Sequence, residues 1–225
     1  MPVNIDGTDV SEVTIDGEVV QEITMDGDVV YSAGPSYTLI DSYEDGDISE
    51  YGGDTGEYVV TQDSTQAVDG DFFLEATSTA FDLITSESGL PAYPQQGDEW
   101  RVWARVDDGG GSNSYAGHYF ATGNSDNYWA RIRPDTNEFD LDLSSSGTFT
   151  NSVTINLGEW YEIRLQWDDG NTFGGVQGDV RATLYDASGT QLSEHFENDT
   201  EFTSGGVGWF SANILKADFL RLTNR

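Results

Sequence analysis

The chain has no cysteine, one lysine and two histidines in 225 residues. Without cysteine there is no disulfide framework, thiolate metal site or cysteine nucleophile. His118 and His195 are too few for a multi-histidine metal centre. No apolar run approaches the length of a transmembrane helix, so no membrane insertion is expected. Met1-Pro2-Val3-Asn4-Ile5-Asp6 lacks a charged segment followed by an apolar one, so no signal peptide is expected and synthesis is placed in the cytoplasm.

Positive charge is scarce as well. Forty-one carboxylates face nine basic residues, for a formal net charge of -32. That balance excludes a general nucleic-acid binder, which needs a basic footprint to release counterions. The acids are spread along the chain instead of forming a tail. Like charge of this density strains a compact fold in dilute buffer, whereas molar salt screens it within about 3 Å. A high-salt environment is therefore expected, with an ordinary acidic extracellular protein carrying Ca²⁺ as the alternative.

Residues 3–32 repeat every ten positions: Val3-Asn4-Ile5-Asp6-Gly7, Val13-Thr14-Ile15-Asp16-Gly17 and Ile23-Thr24-Met25-Asp26-Gly27. Asp-Gly between β-branched runs is a strong hairpin signal, since both central residues of a type I′ turn need positive φ. Such short units cannot enclose a core alone. Residues 1–33 are expected to anchor or oligomerise the protein, with a trimer favoured; a plain meander packed on the main domain is the alternative. Ser32-Ala33-Gly34-Pro35-Ser36 breaks the strand pattern, which places a linker at 34–36 and a main domain at 37–225.

In the main domain no segment has a convincing helical period, and short strand-like runs recur between turn signals. They include Tyr58-Val59-Val60, Phe72-Phe73-Leu74, Phe139 to Leu143, Val153-Thr154-Ile155, Tyr161 to Trp167 and Val180 to Tyr185. Trp100, Val102, Ala104 and Val106 alternate with Arg101, Trp103 and Arg105; Tyr128, Ala130 and Ile132 alternate with Trp129, Arg131 and Arg133. The fold class expected is all-β, a sandwich or jelly roll.

Several of these runs carry a family resemblance. Asp41-Ser42-Tyr43-Glu44-Asp45-Gly46-Asp47, Asn127-Tyr128-Trp129-Ala130-Arg131-Ile132, Gly158-Glu159-Trp160-Tyr161-Glu162-Ile163-Arg164-Leu165, Gly205-Gly206-Val207-Gly208-Trp209-Phe210 and Ala217-Asp218-Phe219-Leu220-Arg221-Leu222 follow one another as strands do in concanavalin A-like lectin/glucanase jelly rolls of the laminin-G-like type. The resemblance covers Tyr37 to Asn224. The N-terminal decads separately resemble attachment segments of tailed-virus structural proteins. Together with the acidic balance, this second resemblance implies a protein of a haloarchaeal virus, located in the virion and contacting other virion proteins.

Six of the eight arginines fall on non-core faces of strands: Arg101, Arg105, Arg131, Arg133, Arg164 and Arg181. With Trp103, Trp129 and Tyr185 interleaved they would make a cationic aromatic face if their strands share one sheet. Trp stacks on sugar rings and Arg forks onto carboxylate or sulfate, so the expected ligand is a host-surface acidic glycan. A ladder of cross-strand ion pairs with Glu138, Asp140, Asp142 and Glu162 accounts for the same pattern. His118 is a further candidate ligand contact.

Glu138-Phe139-Asp140-Leu141-Asp142 resembles the Glu-x-Asp-x-Glu strand of glucanases with this fold, with Asp142 one methylene short at the last position. It makes a glycoside hydrolase the alternative to a non-enzymatic reading. The resemblance also implies a structural Ca²⁺ where the first and last strands meet, at Glu44, Asp45 and Asp218, and oxygen ligands are abundant enough to favour calcium over transition metals. A third alternative is a structural capsid decoration or tail component without a ligand.

Overall fold

The computed structural model describes residues 3–5, 8–10, 14–15, 18–19, 22–25, 28–32 and 37–223 except 69, 108–113, 123–126 and 213, with side chains between Leu39 and Asp218 apart from those residues and Ser145. They form two compact units, residues 38–222 being the larger.

The N-terminal unit holds three antiparallel pairs: β1 (Val3–Ile5) with β2 (Thr8–Val10), β3 (Thr14–Ile15) with β4 (Glu18–Val19), and β5 (Glu22–Met25) with β6 (Asp28–Ser32). Their ladders begin at Ile5↔Thr8, Ile15↔Glu18 and Met25↔Asp28, one pair per decad. The Asp-Gly steps themselves lie outside the described residues.

The larger unit is a sandwich of two antiparallel sheets. Its strands are β7 (Tyr37–Asp41), β8 (Gly52–Gly53), β9 (Tyr58–Gln62), β10 (Phe72–Ala76), β11 (Phe81–Ser86), β12 (Glu99–Val106), β13 (Tyr115–Thr122), β14 (Tyr128–Arg133), β15 (Glu138–Leu143), β16 (Thr148–Ser152), β17 (Tyr161–Trp167), β18 (Asp179–Asp186), β19 (Gln191–Asn198), β20 (Gly206–Ala212) and β21 (Leu215–Thr223). One sheet runs β19-β18-β17-β12-β21-β10-β9, with β7 also on β21; the other runs β16-β15-β14-β13-β20-β11-β8.

The alternation read from the sequence decides which side chains fill the space between the sheets. Trp100, Val102, Ala104 and Val106 are buried from one side, and Tyr128, Ala130 and Ile132 from the other. Two indole N–H groups of this core find partners within it, as burial favours. Trp100 Nε1 donates to His118 Nε2 at 2.7 Å, and Trp209 Nε1 to the Tyr43 hydroxyl at 2.8 Å.

Two expectations need correction. Val153-Thr154-Ile155 is not a strand: β16 ends at Ser152, and the segment after it is held by Asn137, whose carbonyl accepts the Val153 amide and whose side chain accepts the Ile155 amide. His118 faces inward and is fully buried, so it contacts Trp100 and Trp209 in the core and no ligand on an outer face.

At one rim the edge strands of the two sheets meet. Asn151 on β16 donates from Nδ2 to the Glu194 carbonyl at 2.8 Å and to Ser193 Oγ at 3.3 Å, both on β19.

Candidate functional site

The arginines read as one face are divided between two. Arg101, Trp103, Arg105, Arg164, Arg181 and Tyr185 lie on the outer face of the eight-stranded sheet; Trp129, Arg131 and Arg133 lie on the outer face of the seven-stranded one. The chain crosses from one sheet to the other after β12 and returns at β17. No single cationic patch is formed.

On the eight-stranded sheet the arginines are occupied by carboxylates. Arg101 meets Glu99 at 2.6 Å and Glu162 at 3.6 Å, Arg164 meets Glu162 at 2.7 Å, and Arg105 pairs with Asp107. Arg164 also stacks over Tyr185, 4.0 Å from the ring centroid. Ion pairing accounts for these three guanidinium groups, which are 17–27% exposed. Arg181 differs: its side chain is 46% exposed and its nearest acid, Glu194, stands 3.9 Å away, beyond hydrogen-bond reach.

The seven-stranded sheet carries a different face, built in three cross-strand rows. The middle row runs Thr150, Asp140, Arg131, Gly117, Phe210 and Leu83. One flanking row includes Asp142, Trp129 and Tyr119; the other includes Ala212 between Tyr115 and Phe81. Polar side chains thus collect over β15 and β16, and rings over β13, β14, β20 and β11.

Phe210 is the centre of the ring cluster. It is outward-facing yet only 3% exposed, because four rings surround it: Tyr119 at 4.5 Å, Trp129 at 5.5 Å, Tyr115 at 5.8 Å and Phe81 at 6.3 Å between centroids. Phe81 is 55% exposed, a large cost in apolar hydration for a side chain in a strand. Burial raises the pKa of both Tyr115 and Tyr119, with Arg131 pulling in the opposite sense, so both phenols remain protonated donors.

Arg131 joins the two halves of this face. Its Nε donates to Asp140 Oδ2 at 2.6 Å, and its guanidinium lies 4.7 Å from the Trp129 ring and 5.2 Å from that of Tyr115. Asp140 is 1% exposed and takes a second bond from Thr150 Oγ1 at 2.7 Å. Arg133 bonds to Glu138 at 3.2 Å, and Thr136 Oγ1 donates to the same carboxylate at 2.5 Å. Asp142 accepts from the Ser144 amide and the Thr148 hydroxyl. All three carboxylates of β15 are thus already engaged by donors of neighbouring residues.

Two of the carboxylates expected to hold Ca²⁺ are engaged by backbone amides. Glu44 Oε1 accepts the amides of Asp71 and Phe72 at 2.8 and 3.0 Å, while Asp218, fully buried, accepts the Val68 amide at 2.7 Å. Asp45 lies with Asp47 and Glu50 on a turn, where the three carboxylates offer oxygens within 4.8 Å of one another.

Sequence reasoning missed Phe81, Tyr115, Tyr119 and Phe210. The available signal was Tyr115-Ala116-Gly117-His118-Tyr119, where two rings flank a glycine at period two.

No family model matches the sequence, and no curated relative matches it. Solved structures share the fold. Lectin II from Ulex europaeus is 11% identical with a TM-score of 0.53, over 84% of this chain and 97% of that one. The Bacteroides ovatus mixed linkage glucan GH16, in complex with a product, is 9% identical with a TM-score of 0.54, over 81% and 98%. Cellulose induced protein Cip1 is 15% identical with a TM-score of 0.53, over 84% and 98%. At these identities the likeness establishes the fold: a jelly-roll sandwich of the lectin/glucanase kind.

Proposed function

We propose that this protein binds glycan without cleaving it, through the outer face of the seven-stranded sheet. The observation that carries the reading is the ring cluster of Phe81, Tyr115, Tyr119, Trp129 and Phe210 with Arg131 laid across two of its members. Rings offer apolar faces to the C–H side of a sugar, while the guanidinium and phenols offer hydrogen bonds to its rim. That a lectin and a glucan-bound hydrolase share the fold is consistent with such use. On β15 each carboxylate is held by a neighbouring donor, which favours binding over hydrolysis.

The test is retention on immobilised polysaccharides at molar salt, with Trp129→Ala and Arg131→Ala alongside. Each change is expected to weaken retention at least tenfold. Retention unaffected by both would rule out this face as the binding site, and no retention on any polysaccharide would leave a purely structural role. Release of reducing ends, abolished by Asp140→Asn and Asp142→Asn, would restore the hydrolase reading.

The finer reading is a structural and adhesion protein of a halophilic virus: the three N-terminal strand pairs anchor it to the particle or oligomerise it, and the sandwich meets a host glycan. It draws on the decad repeat and the net charge of -32. Removal of residues 1–34 is expected to lower the oligomeric state and abolish particle attachment; neither changing would sink this part.

A further inference from the structure

We propose a second glycan subsite, on the outer face of the eight-stranded sheet, that takes a neutral pyranose. It lies where β17, β18 and β19 end against the loop after Trp167, and its lining includes Gln166, Phe173, Arg181 and Phe196.

Three of these side chains form one cross-strand row, Gln166↔Arg181↔Phe196, so they stand side by side on the same face. The guanidinium of Arg181 lies 5.3 Å from the Phe196 ring centroid. Phe196 is 52% exposed and Val176, on the loop, 62%. Arg181 is also the most exposed of the paired arginines, with its nearest acid out of hydrogen-bond reach.

The loop that walls the cleft is rigidly built. Asp168 accepts the amides of Gly170 and Gly175 at 2.6 and 2.8 Å; Asp179 accepts the amide of Val176 and the Asn198 side chain, both at 2.8 Å. Gly170, Gly174 and Gly178 take positive φ, which glycine supplies without strain. Such preorganisation lowers the ordering cost of binding.

The chemistry of the lining selects the ligand. Asp168 and Asp179, which also line the cleft, outnumber its one guanidinium and disfavour an anion. An apolar peptide side chain would cover the Arg181 guanidinium, whose nearest acid is 3.9 Å away, without offering it a hydrogen bond. A neutral sugar suits the lining: its C–H face meets the Phe173 and Phe196 rings, and its hydroxyls meet the Arg181 guanidinium and the Gln166 side-chain oxygen. This subsite is independent of the ring cluster on the other sheet, and the two together would let one chain bridge two glycan strands.

The experiment titrates the full chain at molar salt with cellotriose, laminaritriose, β-1,4-mannotriose and β-1,4-galactotriose, reading stoichiometry by calorimetry and amide shifts by NMR. At least one trisaccharide is expected to bind at two sites per chain and to shift residues 166–181 and 196. Phe196→Ala and Arg181→Ala should each remove one site, or weaken it at least tenfold, while Trp129→Ala removes only the other. Both are exposed side chains, so the variants should fold, which unchanged thermal midpoints would verify. Binding indifferent to Phe196→Ala and Arg181→Ala overturns the second subsite while leaving the first. Loss in these variants with indifference to Trp129→Ala overturns the first and leaves the second. Preference for a uronate trisaccharide here, or binding of none of the neutral probes, overturns the proposal.

Discussion

The ring of Phe210 lies across Gly117 on the neighbouring strand: a Cβ on Gly117 would sit 2.0 Å from the ring's Cζ. The absence of a side chain at 117 makes room for the tip of that ring among Tyr115, Tyr119 and Trp129. Gly117→Ala should displace Phe210 and disorder the cluster, costing about 1–3 kcal/mol as overpacking does. Denaturant unfolding measures that cost, and glycan retention should fall with it. A variant that retains both stability and binding would contradict this account of the face.

Asp140 and Arg131 form a second dependency. The carboxylate is 1% exposed and its partner's side chain 21%, so deleting the acid leaves a largely covered guanidinium without its anion. Asp140→Ala is expected to destabilise by about 2–3 kcal/mol, below the cost of breaking a fully buried pair because water still reaches Arg131. A double-mutant cycle with Arg131→Ala should recover most of that loss.

Asp41 should set one pH dependence. Burial pushes its pKa up from 3.8 to about 6, against the opposing pull of the Tyr43 amide and the Tyr51 hydroxyl. Between those values the native chain holds the proton that the unfolded chain has released. Its contribution to stability is therefore present in acid and lost as pH rises through about 6. Asp41→Asn should raise the thermal midpoint at pH 7.5 and leave it nearly unchanged at pH 3, below both pKa values. An equal effect at both values would refute the linkage.

His118 works in the opposite direction. Burial lowers its pKa from 6.5 to about 3, so the unfolded chain takes up the proton first and stability is lost as pH falls below 6.5. His118→Gln keeps an acceptor for Trp100 Nε1 and should remove that slope between pH 3 and 6.5. Unfolding curves at four or five pH values decide it.

Salt is the remaining lever. With a net charge of -32, repulsion between carboxylates should fall steeply once the screening length drops to about 3 Å near 1 M salt. The thermal midpoint is expected to rise between 0.1 and 2 M KCl, and more than it does for a near-neutral protein of similar size.

Strand identity was legible because period-two alternation survives in β12 and β14, where Arg101, Arg105, Arg131 and Arg133 mark the outer face as plainly as Trp100 and Tyr128 mark the inner. Which sheet each strand joins was not. Local alternation carries no information on whether a connection turns within a sheet or crosses between two, and the crossings after β12 and before β17 split the arginines. The ring cluster was hidden for another reason. Every residue of β20 is buried, so Phe210 reads as core although it faces outward, shielded by rings from other strands. His118 misled for the complementary reason, as a polar residue satisfied by Trp100 through a contact between sheets.

The bonds from Asn151 to Ser193 and Glu194 have a consequence for self-association. A sandwich ordinarily ends in open ladders that can recruit a strand from another molecule. Here a side chain of one edge strand occupies an acceptor of the other, so this rim offers a less complete template for strand addition. Copies of the chain are then less able to zipper together through this edge.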